Sequence, residues 1–81
     1  MIVEHDCKLG DYVHLAPNAC LGGNVTVGEN TLIGIGASVI PNVVIGKNVS
    51  VGAGALVLED IPDCAVVVGV PAKIIKFQDV K

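Results

Sequence analysis

Two histidines, His5 and His14, are the side chains best suited to carrying a proton near neutral pH, and they stand nine residues apart in V-E-H-D-C and Y-V-H-L. His5 lies between Glu4 and Asp6. A carboxylate hydrogen-bonded to one ring nitrogen fixes the tautomer of the other, as a general base requires when it takes a proton from an attacking hydroxyl or amine. On the residues alone, the favoured reading of the same three is a surface histidine beside two solvated acids. The cysteines Cys7, Cys20 and Cys64 are too few and too unevenly spaced for a disulfide framework or a zinc site, so no metal is expected. Cys7 reads as a small buried hydrophobe.

These residues are carried on a six-residue phrase said ten times from Val3 to Pro62: VEHDCK, LGDYVH, LAPNAC, LGGNVT, VGENTL, IGIGAS, VIPNVV, IGKNVS, VGAGAL and VLEDIP. Every first position is aliphatic, the second is Gly in six of the ten hexads, and the fifth is small or modest in size. An amphipathic helix needs apolar positions three and four apart, and a plain strand alternates every second residue, so neither fits. A repeat of six residues fits a parallel β-helix, in which a short strand is followed by a corner. Asn18, Asn24, Asn30, Asn42 and Asn48 all stand at the fourth position, where a corner needs a residue that tolerates the left-handed region. The predicted fold is all-β, a β-helix of about three eighteen-residue coils.

On an eighteen-residue perimeter, His5 and His14 lie on opposite sides of one prism, and meet only if His5 of one chain faces His14 of another. Residues eighteen apart stack, so His5, Gly23 and Pro41 form one column, and Pro17, Ile35 and Ala53 another. Near Glu59 the repeat frays, and Asp60 to Pro62 suggest a turn away from the coil. Residues 65–68 then read as a strand and 71–76 as a short helical or irregular cap. The expected organisation is a single domain, with the β-helix over residues 1–62 and a C-terminal strand and cap over 63–81.

An 81-residue chain has a small core, and a hydrophobic share of 52% is high for an isolated β-helix with open ends and long faces, so other copies are expected to cover part of it. A net charge of −3, no basic cluster, and Tyr12 and Phe77 as the only aromatics argue against nucleic acid as a partner. The longest apolar stretch, 64–72, is too short to cross a bilayer, so no membrane partner is expected. The acidic start lacks the basic and apolar regions of a secretory signal, and a cytoplasmic location is expected. Because the hexad phase is already running at Val3, the chain is expected to be either a short natural protein or a piece of a longer one.

The run V-E-H-D-C-x-L-G-D-x-V-H, continued by L-G-G-N-V-x-V-G, I-G-I-G-A-S-V-I-P, V-G-A-G-A and V-x-G-V-P-A-K, resembles the hexapeptide-repeat acyltransferases. It is most similar to the C-terminal domain of the sialic-acid O-acetyltransferase type, a group that includes enzymes acting on amino groups of nucleotide-linked sugars. The resemblance implies a left-handed winding, a homotrimer, acetyl-CoA as co-substrate, and a sugar or nucleotide-sugar acceptor. It makes His5 the catalytic base and Asp6 its orienting acid, sets His14 of the adjoining subunit near the acetyl group, and points the Gly23 N–H at the thioester oxygen. Pro17, Ile35, Gly36, Ala53 and Gly54 would line the groove for the pantetheine arm, with Lys73 pairing with a CoA phosphate.

Two other readings use the same fold. A γ-class carbonic anhydrase needs three histidines around a metal, and this chain has two. A non-catalytic trimeric scaffold would keep the repeats without turnover, and the domain that precedes the β-helix in that family is not in this sequence.

Overall fold

Ten strands of two residues each mark the junctions between hexads in the computed structural model, which describes residues 2–78. They are β1 (Ile2–Val3), β2 (Lys8–Leu9), β3 (His14–Leu15), β4 (Cys20–Leu21), β5 (Thr26–Val27), β6 (Leu32–Ile33), β7 (Ser38–Val39), β8 (Val44–Ile45), β9 (Ser50–Val51) and β10 (Leu56–Val57). Every third strand stacks in parallel on the one before, with Val3 opposite Leu21, Leu21 opposite Val39, and Val39 opposite Val57. A first wall holds β1, β4, β7 and β10, and a second holds β2, β5 and β8. The third wall holds β3, β6 and β9, followed by β11 (Ala65–Val68) and β12 (Lys73–Phe77). This is the predicted left-handed parallel β-helix, and its first and third walls each stack four parallel strands, close to four turns.

The core follows from the phrase. First-position Leu21, Val27, Ile33, Val39, Ile45, Val51 and Val57 point inward with fifth-position Ala19, Val25, Ala37, Val43, Val49 and Ala55, and all are buried. Burying each Val, Leu or Ile contributes about 1.5–3 kcal/mol, enough to hold two-residue strands that would not persist alone. Thr31 is the buried polar exception, and it is satisfied: its hydroxyl donates to the Gly46 carbonyl at 2.7 Å and accepts from the Val49 N–H at 3.2 Å. Second-position glycines allow the coils to approach. A Cβ on Gly28 would lie 2.6 Å from the carbonyl carbon of Gly46 and from the nitrogen of Lys47.

The chain does not leave the coil at Asp60. The last complete register is Val57 on Val39, but Ile61 then bridges Ile45 and Val67 pairs with Val51, each sixteen residues away where earlier turns use eighteen. The tenth hexad is therefore cut to V-L-E-D and the phase resumes at Ile61, which takes an inward first position instead of the fifth that uninterrupted counting assigns. Two carboxylates close the shortened turn. Asp60 accepts from the Val44 N–H at 2.9 Å, and Asp63 from the Lys47 N–H at 2.8 Å. The expected helical or irregular cap over 71–76 is instead β12, antiparallel to β11. Alternating main-chain pairing finishes the exposed edge of the third wall, which a helix laid across it would leave unpaired.

The two ends differ. At the C-terminal end, Gly69 accepts from Leu56 N–H at 3.0 Å and the Ala72 N–H donates back to Leu56 at 2.8 Å, while Gln78 donates from its side chain to the Asn48 carbonyl at 2.6 Å. At the first turn, Val3 and Leu9 are 42% and 44% exposed, although the same positions in later turns are buried.

Candidate active site

Each corner of the triangle is made by hexad positions three and four. Outside the shortened tenth hexad, where Asp60 is the exception, the fourth residue has positive φ: Asp6 (62°), Tyr12 (61°), Asn18 (62°), Asn24 (59°), Asn30 (58°), Gly36 (68°), Asn42 (67°), Asn48 (56°), Gly54 (70°) and Cys64 (65°). Asn and Gly tolerate this conformation, which accounts for their phase in the sequence. The fourth-position N–H then donates to the third-position carbonyl of the turn before, locking the corners into three ridges.

The ridge between the first and second walls carries His5–Asp6, Gly23–Asn24 and Pro41–Asn42. Asn24 N–H donates to the His5 carbonyl at 2.8 Å, Asn42 N–H to the Gly23 carbonyl at 3.0 Å, and the Asn24 side-chain amide to Asn42 Oδ1 at 2.9 Å. Gly23 sits directly over His5, since a Cβ there would lie 3.6 Å from the His5 carbonyl oxygen. The expected column of His5, Gly23 and Pro41 is thus formed within one chain. Their setting is open, with an exposed imidazole above which nothing but hydrogen occupies the Gly23 α-carbon. Among the described residues, no hydrogen bond links the His5 ring to the carboxylate of Glu4 or Asp6.

The ridge between the third and first walls carries Pro17–Asn18, Ile35–Gly36 and Ala53–Gly54, tied by Gly36 N–H to Pro17 at 3.0 Å and Gly54 N–H to Ile35 at 2.8 Å. A Cβ on Gly36 or Gly54 would meet nothing within 4 Å, so these positions leave a smooth, mostly apolar strip open on its outer side. His14, exposed on β3 of the third wall and aligned with Leu32, leads into this strip at Pro17. His5 and His14 belong to different sides of the prism, as their spacing predicts, and one chain does not bring them together. Lys73 opens β12 opposite Val68 and shares a surface cavity of about 350 Å³ with Glu59, Asp60, Ile61, Ala72 and Ile74. Two acidic residues therefore line the same cavity as the lysine expected to meet a phosphate.

The ridge between the second and third walls, Asp11–Tyr12, Glu29–Asn30, Lys47–Asn48 and Asp63–Cys64, is the charged one. Among the described residues, no three His, Cys, Asp or Glu side chains gather where they could hold a metal ion.

Cys7 packs against the core as a small hydrophobe does, and it makes a polar contact besides. Cys7 is half-buried, and its thiol donates to the Gly22 carbonyl at 3.2 Å. Its place at a fifth position otherwise filled largely by Ala and Val was the available sign, shared with Thr31.

Residues 24–59 match the family described as bacterial transferase hexapeptide (six repeats). A serine acetyltransferase from Staphylococcus aureus (strain Mu50 / ATCC 700699) is 34% identical over 89 aligned positions, covering 100% of this chain and 42% of that protein. Among solved structures, a histidine-to-asparagine variant of perosamine N-acetyltransferase from Caulobacter crescentus, in complex with CoA and GDP-perosamine, is 52% identical with a TM-score of 0.84. That match covers 85% of this chain and 33% of the other. The acetyltransferase domain of PglB from Neisseria gonorrhoeae FA1090, in complex with acetyl coenzyme A, is 45% identical with a TM-score of 0.87, covering 88% of this chain and 35% of that one. The chain thus spans well under half the length of each of these three relatives.

Proposed function

We propose that this chain, whose residues 24–59 match the bacterial transferase hexapeptide family, forms the donor half of an acetyltransferase that moves the acetyl group of acetyl-CoA to the amino group of a nucleotide-linked sugar. The single observation that carries this reading is the division of the candidate residues between two ridges. His5 and the Gly23 N–H occupy one ridge, while His14 and the open strip of Ile35, Gly36, Ala53 and Gly54 occupy the far side. Around a threefold axis parallel to the prisms, the first ridge of one copy faces the third wall of the next, and a groove between them holds both sets. The site is complete only in a homotrimer, in keeping with the rotation-related contacts that close a ring. CoA complexes of the perosamine enzyme and the acetyl-CoA complex of the PglB domain support the donor. GDP-perosamine in the former supports the acceptor class.

In the proposed reaction the acceptor amine attacks the thioester carbonyl carbon. A C–N bond forms as the carbonyl π pair moves onto oxygen, where the Gly23 N–H receives the charge. Collapse of that intermediate breaks the C–S bond. His5 takes the proton released by the nitrogen, and the sulfur leaves as CoA thiolate, which is protonated to the free thiol. Asp6 orients His5 once the groove closes, Pro17 and the open strip guide the pantetheine arm, and Lys73 meets a CoA phosphate.

The test combines titration with acetyl-CoA and a thiol-release assay with GDP-perosamine as acceptor. Wild-type protein is expected to bind and turn over, and His5→Ala to keep acetyl-CoA binding while losing roughly 10²–10⁴-fold in kcat. Equal rates for the two would remove His5 from the mechanism. Turnover with serine but not with GDP-perosamine would move the acceptor to the hydroxyl class suggested by the serine acetyltransferase similarity. Binding without turnover on any acceptor would favour a non-catalytic trimeric scaffold.

A further inference from the structure

We infer that Cys7 is a positioning residue for the acetyl-transfer step: its thiol holds the Gly22 carbonyl and so sets the direction of the Gly23 N–H, which belongs to the same peptide plane. The inference rests on the proposed role of that N–H. The rest of the segment is pinned. Gly22 N–H donates to Val39 at 2.8 Å, the Gly23 carbonyl accepts from Asn42 N–H at 3.0 Å, and Asn24 N–H donates to His5 at 2.8 Å. A Cβ on Gly22 would lie 2.6 Å from the Pro41 nitrogen, so the α-carbon is held as well. The remaining group, the Gly23 N–H, has no hydrogen-bond partner among the described residues. Because a trans peptide is planar, its C=O and N–H point in opposite directions, and a bond on the carbonyl aims the donor.

A second copy of this device occurs within the chain and shows what it does. Fifteen residues separate Cys7 from Gly22, and fifteen separate Thr31 from Gly46, whose carbonyl Thr31 Oγ grips at 2.7 Å. In that second case the N–H of the same peptide, on Lys47, donates to a carboxylate oxygen of Asp63 at 2.8 Å. A fifth-position donor, a second-position Gly carbonyl and a third-position N–H thus already hold an anionic oxygen at one corner. At the Cys7 corner the same three parts stand beside His5, and no side chain takes the anion's place. An oxygen gaining charge as a thioester carbonyl is attacked is the ligand this arrangement would accept.

The two hexads that follow in the column supply the variants. Val25 and Val43 fill the Cys7 position in later turns, and Thr31 fills its counterpart at another corner, so Cys7→Val and Cys7→Thr differ chiefly in the presence of a donor. Two readouts separate this inference from the function on which it rests. The first needs no turnover: the Gly23 amide resonance in ¹⁵N-labelled protein is expected to move in Cys7→Val and to stay near its wild-type position in Cys7→Thr. The second is kinetic, with acetyl-CoA and GDP-perosamine. Cys7→Val is expected to lose about tenfold in kcat, with acetyl-CoA affinity and melting temperature near wild type, and Cys7→Thr to recover most of the loss. An unmoved Gly23 resonance in Cys7→Val would overturn the positioning role whether or not the protein turns over. An active wild type whose Cys7→Val variant keeps full kcat would do so as well. A moved resonance in a protein that never turns over would keep the peptide-holding contact and reject only the acetyl-transfer reading.

Discussion

Tyr12 shows how much a single fourth position can be strained by the repeat. It sits in the left-handed region at φ 61° with its ring 84% exposed, where most other turns place Asn or Gly. An L-residue with a bulky side chain is disfavoured there by about 1–2 kcal/mol, and its exposed ring recovers little through burial. Tyr12→Asn is therefore expected to raise stability by about 1 kcal/mol in urea unfolding, whereas Asn30→Tyr on the same ridge should lower it by a similar amount. A loss of stability in Tyr12→Asn would mean that the ring makes a stabilising contact in the assembled protein. At this scale the sequence was partly legible. The phase of the asparagines marks the corners, and the nine-residue spacing of the histidines separates them. The donor role of Cys7 was not legible, because it depends on a carbonyl fifteen residues away coming within 3.2 Å of the thiol.

Between elements, the closeness of the turns is set by the second-position glycines. Gly28→Ala would drive a methyl group to 2.6 Å from the backbone of Gly46 and Lys47, and neither can retreat without breaking the ladder on which β5 and β8 depend. A loss of about 1–3 kcal/mol is expected, read as a lower urea midpoint with an unchanged slope. Gly36→Ala, at φ 68° but with open space around its Cβ, should instead cost only its backbone strain. The shortened turn at Glu59–Asp60 belongs to this scale too. Sequence counting carries the tenth hexad to Pro62 because Ile61 is as apolar as the fifth position requires. The two dropped residues become visible only when Ile61 is seen against Ile45 and the Asp60 carboxylate against the Val44 N–H. Likewise K-I-I-K-F has the composition of a strand as much as of a cap, and pairing with β11 selects the strand.

For the whole molecule, the proposed site needs two copies, and its assembly can be measured directly. Sedimentation equilibrium at micromolar concentration is expected to give three times the chain mass of 8.2 kDa; a stable monomer would leave His5 and His14 unable to share a groove. Mixing two inactive variants supplies a sharper readout. His5→Ala and His14→Ala, unfolded and refolded together in equal amounts, should regain roughly a quarter of the wild-type sites, since that share of interfaces in a randomly mixed ring joins an intact His5 to an intact His14. No recovery from trimers of mixed composition would place both histidines in one chain's chemistry, and full activity of His14→Ala alone would leave His14 outside it. What the sequence by itself determined was the solenoid, its eighteen-residue register and its columns, because each hexad repeats the same local steric demands. Only the tertiary structure decided where that register drops two residues, how the last wall is finished, and which side chains reach across from one turn to the next. Those outcomes depend on atoms distant in the chain meeting at hydrogen-bond range, and a repeating pattern of residue types carries no record of such distances.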